Sequence, residues 1–223
     1  MADETQQIYG TADRVLRAGS RLVSWVFTPF LIPTLAFLTM FLFSYLRIMP
    51  IQFKLIVGNI VFVFTVLIPL LMIMLYKWIS GLKIYDLGAR EKRYMPFMLT
   101  IVSYASCVFM MWRLNIPWYM TGIVLVSLVA QVMCVLVNIR WKLSEHMAGT
   151  GCVVGGLLAF STMFGYNPIP WLCLVILVSG IVGSARIILE RHTLDEVLGG
   201  FALGLITAWS ILNPSSILFR LFI

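Results

Sequence analysis

The chain has 223 residues, 61% of them hydrophobic and 11% charged, with a formal net charge of +7. A water-soluble domain carries roughly twice that share of charged side chains, so a soluble globular protein is excluded. The excess of cations comes without aromatic–basic interleaving and without a nucleic-acid motif, which points to membrane topology and phosphate chemistry and away from nucleic acid.

Apolar runs of about 20 residues are long enough to cross a hydrocarbon core of ~30 Å. They predict spans at 24–46, 55–76, 96–112, 117–138, 147–165, 169–189 and 194–212. The expected fold class is therefore all-α: a polytopic transmembrane helical bundle of about 6–7 spans. It has a polar N-terminal tail over 1–23 and a membrane domain over 24–223. The first 20 residues hold no apolar core, so no cleavable signal is expected and the first span itself drives insertion. Pro29, Pro33 and Pro69 fall inside predicted spans and are expected to kink them, because each removes a backbone donor. Pro96 and Pro117 stand at span starts, where proline fits, and Asn167-Pro168-Ile169-Pro170 reads as a tight turn. Gly149, Gly151, Gly155 and Gly156 give the fifth span a small-residue face suited to close helix packing. Cys107, Cys134, Cys152 and Cys173 lie in apolar runs without metal-ligand spacing and read as small buried hydrophobes.

Seven spans make the connections alternate between two membrane faces. The face of the N-terminus, side A, then holds all nine acids, both histidines and twelve of the sixteen Lys and Arg. Side B keeps only Arg47, Lys54, Arg113 and Arg220. Topology accounts for a cation bias, since Lys and Arg gather on the cytoplasmic side. It does not account for the acids and histidines, and a polar site at one membrane face does.

Three side A segments carry the candidate chemistry: KIYDLGAREKRYMP (83–96), KLSEHMAG (142–149) and SARIILERHTLDEVLGG (184–200). Arg186 nears the end of a span, where a charge is costly and should face the bundle or a wet cavity. His192 and Glu196 are four apart, so one helical turn puts them on one face. Glu196 is then expected to fix the imidazole tautomer and favour its positive form. Ser144 and His146 open a span, and a helix start suits an anion; Ser144 is equally a good N-cap residue. Lys77, Lys83, Arg90, Lys92 and Arg93 approach the same face, about half of them meeting head groups or solvent. Two histidines, an orienting carboxylate, arginines and a helix N-terminus together fit phosphoryl transfer.

These segments resemble the type 2 phosphatidic acid phosphatase superfamily of membrane lipid phosphatases, whose pattern is K-x6-RP, then PSGH, then SR-x5-H-x3-D. Here Arg186-x5-His192-x3-Glu196 is followed by Val-Leu-Gly-Gly, and Ser144-Glu145-His146 stands where the family has Ser-Gly-His. The resemblance covers about 83–212, the phosphatase-like core. It implies that His192 is the nucleophile that becomes phosphohistidine, with Glu196 orienting it in place of the family's Asp. By the same resemblance His146 is the general acid, and Arg186 and Ser144 contact the phosphate. It implies a metal-independent lipid phosphatase with no cofactor, working on a lipid phosphate or pyrophosphate in a bacterial cytoplasmic membrane. The family mostly works on the outer face, whereas the cation bias places side A in the cytoplasm.

The chain departs from the pattern in four places. Ala185 replaces the Ser before the arginine, and Glu196 adds a methylene. Lys83-x6-Arg90 is followed by Glu91 where the family has Pro, and Arg93 with Pro96 is the alternative alignment, slightly preferred. Glu145 is the largest departure: a carboxylate beside a phosphate site repels substrate unless it points away or pairs with a cation such as Lys142. Asp195, Glu190 and Arg191 read as a solvated or ion-paired rim, and Trp112, Trp118, Trp141 and Trp171 as an interfacial belt. The rival readings are a phosphotransferase, a non-catalytic lipid-phosphate binder, and a transporter. The transporter is weakened by the lack of charge at mid-span.

Overall fold

The computed structural model of the chain describes residues 2–43, 45–80 and 94–216, the side chains of 2–12, 43, 45, 46, 77, 80 and 94 excepted. Its helices are α1 (Ala2–Val26), α2 (Leu31–Phe43), α3 (Ile51–Phe62), α4 (Ile68–Ser80), α5 (Tyr94–Arg113), α6 (Trp118–Asn138), α7 (Glu145–Phe164), α8 (Ile169–Ile188) and α9 (Leu194–Leu212). Among the described residues there is no strand. Among the described residues, six helical stretches are long and apolar enough to cross a membrane, α3 and α4 together forming the one over Ile51–Tyr76. A seventh is counted if α1 and α2 form one bent span. The protein is an all-α, multi-pass membrane bundle.

The predicted spans from 117 onward match α6 to α9 to within two residues at either end. The N-terminal part differs. The polar tail is helical as far as Val26, and the predicted span over 24–46 is broken between α1 and α2, whose axes meet at 69°. Thr28 precedes Pro29, and the proline ring pushes the preceding residue out of the helical region. Pro33 stands in the first turn of α2, where its missing N–H has no partner to lose. So one proline ends a helix and the other fits one.

Pro69 acts differently again. In an α-helix its ring would press on the carbonyl of Thr65, four residues back. The chain answers with a π-helical turn over Val63–Leu67, just ahead of the proline. A neighbouring helix satisfies one disturbed carbonyl, Ser103 Oγ donating to that of Phe64 at 2.5 Å, and the Thr34 and Thr65 hydroxyls meet nearby at 3.2 Å. Around this turn lies the main core, where Phe37 and Phe41 of α2 pack with Val57, Val61, Met111 and Met120.

The tightest packing joins α7 to α9. A Cβ on Gly151 would overlap the Phe201 carbonyl, one on Gly155 the Leu205 carbonyl, and one on Gly204 the Ala148 carbonyl. On Gly200 it would come within 2.5 Å of the Ser144 carbonyl. The two backbones touch, as the glycine face predicts. The contact register rises together along both helices, so they run parallel and bring their N-termini to one face. Two of the four cysteines, Cys107 and Cys134, are buried as expected. Cys173 is exposed, on a turn of α8 whose Leu174, Ile176 and Leu177 also point outward.

Candidate active site

Helix α9 opens on Thr193, whose hydroxyl accepts from the Glu196 N–H while the Glu196 carboxylate accepts from the Thr193 N–H. This capping box, Thr-x-x-Glu, pins the carboxylate to the helix start. The same oxygen, Oε2, lies 2.8 Å from His192 Nδ1. A carboxylate here only accepts, so Nδ1 carries the proton and Nε2 keeps its lone pair. The longer Glu suits this double duty, because it reaches both the backbone N–H and the ring.

The His192 side chain is 5% exposed. Burial pushes its pKa down, and the charges of Arg186 and Lys142 push the same way; the Glu196 hydrogen bond opposes them and does not prevail. Glu196 does favour the cation, as its spacing predicts, but the imidazole is neutral in the folded protein. The reason is that desolvation outweighs one hydrogen-bonded carboxylate.

How α8 ends explains why His192 returns to Arg186. Arg191 N–H donates to the Arg186 carbonyl and Glu190 N–H to the Ile187 carbonyl, with Glu190 left-handed at φ 54°. This is a Schellman-type stop, with a glutamate where glycine is usual. Lys142 Nζ reaches across and donates to the Arg191 carbonyl at 2.6 Å, tying down the turn. Glu190 and Arg191 are exposed, and Glu190 pairs with Arg17, as an ion-paired rim requires.

The start of α7 supplies the second segment. Ser144 N–H donates to the Glu196 carbonyl at 3.2 Å, so the two helix starts are joined directly. Ser144 Oγ makes no cap bond to its own helix; it is buried and makes no hydrogen bond among the described residues. Of the two roles open to it, capping drops out. His146 faces α1: its Nε2 lies 3.1 Å from the Ser24 carbonyl and 3.4 Å from Ser24 Oγ. A carbonyl only accepts, so Nε2 of His146 carries a proton. Arg186 Nη1 donates to the same Ser24 hydroxyl at 2.7 Å. Arg186, His146 and His192 are all within electrostatic range of one another.

Glu145 does not face this cluster. Successive helical residues point about 100° apart, and Glu145 borders a cavity with Tyr104 of α5 and Gln131 and Cys134 of α6. The charge of its carboxylate is felt at Tyr104 and Cys134. Lys83, Arg90 and Arg93 lie outside the described residues.

Two contributions escape the sequence reading. Arg17 and Ser24 both belong to α1, where the sequence places Arg17 in a polar tail and Ser24 at the start of a span, although Asp13, Arg17, Ser20 and Ser24 repeat at helical spacing. Thr193 is legible too, as the first residue of a capping box.

Among the described residues, no three His, Cys, Asp or Glu side chains converge as a metal site would require. Comparison with protein-family models, with curated proteins and with solved structures finds no match. The cluster therefore stands on its own geometry: a neutral imidazole with a free Nε2 backed by a carboxylate, a second imidazole with a protonated Nε2, a guanidinium, and two helix N-termini. That set can bind an oxyanion, attack it and protonate a leaving oxygen.

Proposed function

We propose that the protein is an integral membrane phosphatase that hydrolyses a lipid phosphate or lipid pyrophosphate through a phosphohistidine intermediate. The observation that carries the reading is the His192 Nδ1–Glu196 Oε2 contact of 2.8 Å, made where the starts of α7 and α9 meet and beside Arg186. His192 Nε2 attacks phosphorus while the bond from phosphorus to the leaving oxygen breaks. His146, charged to the imidazolium by the anion bound beside it, gives its Nε2 proton to that oxygen and is left as the neutral imidazole. A water then attacks the phosphohistidine, returning its proton to His146 and releasing phosphate from His192. Arg186 and the helix N-termini bear the anionic charge throughout. The resemblance to the type 2 phosphatidic acid phosphatases supports the same assignment, with Ser144 as a further phosphate contact and Lys83, Arg90 and Arg93 as cations of the first segment. The membrane proposed is the bacterial cytoplasmic membrane.

The test is phosphate release by the purified protein in detergent with EDTA present, across a panel of lipid phosphates and pyrophosphates. Release that survives EDTA and is lost in His192→Ala is the expected result. A folded protein with no release across the panel would favour a second reading, a lipid-phosphate binder without turnover, which the near-complete enclosure of His192 also suits.

A further inference from the structure

His146 and Arg186, the groups assigned to the leaving oxygen and the phosphate, are both already engaged. Each holds Ser24 of α1, at 3.1 Å to its carbonyl and 2.7 Å to its hydroxyl respectively. A carbonyl oxygen and a hydroxyl oxygen of one residue thus take hydrogen bonds from both groups. A second tie lies further up the helix, where Arg17 Nη2 meets Glu190 Oε1 at 2.9 Å. Val23 and Phe27 pack on the cluster of Met147, Val182 and Val197 beside the site.

The rest of α1 has a different character. Val15, Leu22 and Trp25 are 68%, 64% and 77% exposed, on the side opposite Ser20 and Ser24. Arg14 and Arg21 flank them and are exposed as well. The helix thus turns a polar face to the site and an apolar, cation-edged face outward, the pattern of a helix that rests in a membrane interface. It joins the bundle through the break at Phe27–Phe30.

We propose that α1 is a lipid-facing lid whose Ser24 occupies the phosphate position between Arg186 and His146, so that substrate binds only when Ser24 leaves. The inference rests on the phosphatase reading above and adds to it the element that controls access. The outer face of α1 is held by the bilayer, so lid position responds to the lipid around it. With the lid down, apparent affinity for an oxyanion is the intrinsic affinity reduced by the open fraction.

The experiment uses inorganic orthovanadate, a phosphate mimic, on the full chain in nanodiscs. Binding is measured for the natural protein, for Ser24→Ala and for Glu190→Gln. Spin labels at positions 14 and 140, both exposed, report α1 against the α6–α7 connection in a Cys173→Ser background. The expected result is binding tightened about tenfold by Ser24→Ala, a smaller gain from Glu190→Gln, and a label distance that changes on binding. Weaker binding in Ser24→Ala would make Ser24 a ligand of the anion and overturn the lid. Equal binding with an unchanged distance would overturn it too while leaving the phosphate site standing. No binding by any variant would remove the phosphate site and the lid with it.

Discussion

The backbone N–H of Ser144 donates to the carbonyl of Glu196 at 3.2 Å, and this bond ties the start of α7 to the start of α9. Ser144 and Glu196 are 52 positions apart in the chain. Through them His146, two residues into α7, is set beside His192, two residues ahead of α9. Parallel helices placed this way point two positive dipole ends at one spot, which favours an anion there.

Glu196 has two duties, and two substitutions separate them. Glu196→Gln keeps an oxygen for the Thr193 N–H but loses the charge behind His192. Phosphate release is expected to fall on the order of 10²–10⁴-fold with the thermal midpoint nearly unchanged. Glu196→Ala is expected to lose activity and also about 1 kcal/mol of stability, as a lost helix cap does. Equal activity in Glu196→Gln and the natural protein would sink the orienting role.

The lowered pKa of His192 has two pH consequences. The folded protein binds this proton less readily than the unfolded chain. Below the ordinary histidine value of about 6.5 the unfolded state takes it up first. Stability from this group is therefore full above that pH and is lost as pH falls through and below it. The nucleophile proposed here, His192, also stays neutral further into acid than a free histidine, so the acid limb of kcat/KM should lie below pH ~6.5. A pH series of melting, compared with the same series for His192→Gln, checks the first, and the pH profile of phosphate release by the natural protein checks the second.

The glycine seam is expected to be intolerant in proportion to backbone contact. Gly151→Val and Gly204→Val would force α7 and α9 apart, at a cost of about 3 kcal/mol or more, and would separate the site halves. Gly180→Ala meets nothing within 4 Å and should be neutral or slightly stabilising. Thermal denaturation in detergent ranks the three. Similar losses at Gly180 and Gly204 would mean that the seam does not assemble the site.

Glu145 faces Tyr104 and Gln131, away from His192. Glu145→Gln is accordingly expected to change vanadate affinity by no more than about twofold. A gain of tenfold would show that the carboxylate does repel the anion, and would restore the objection raised by its place in the motif.

Much of this protein is legible in the linear chain. Apolar runs of span length settle the all-α membrane class, because the hydrocarbon core leaves a helix as the way for such a run to satisfy its backbone. Arg186-x5-His192-x3-Glu196 settles which side chains share the α8–α9 turn, because helical spacing is local. The glycines of α7 announce a close contact for the same reason. The partner in that contact, α9, is a matter of tertiary structure, as is the meeting of Ser144 with Glu196. So are the direction of Glu145, which follows from which helices surround α7, and the neutrality of His192, which follows from how much water the fold removes. The position of α1 belongs here too: its period of 3.6 is written in the sequence, but the face of the bundle that its polar stripe covers is not. Local spacing fixes what a helix presents; only packing decides what it is presented to.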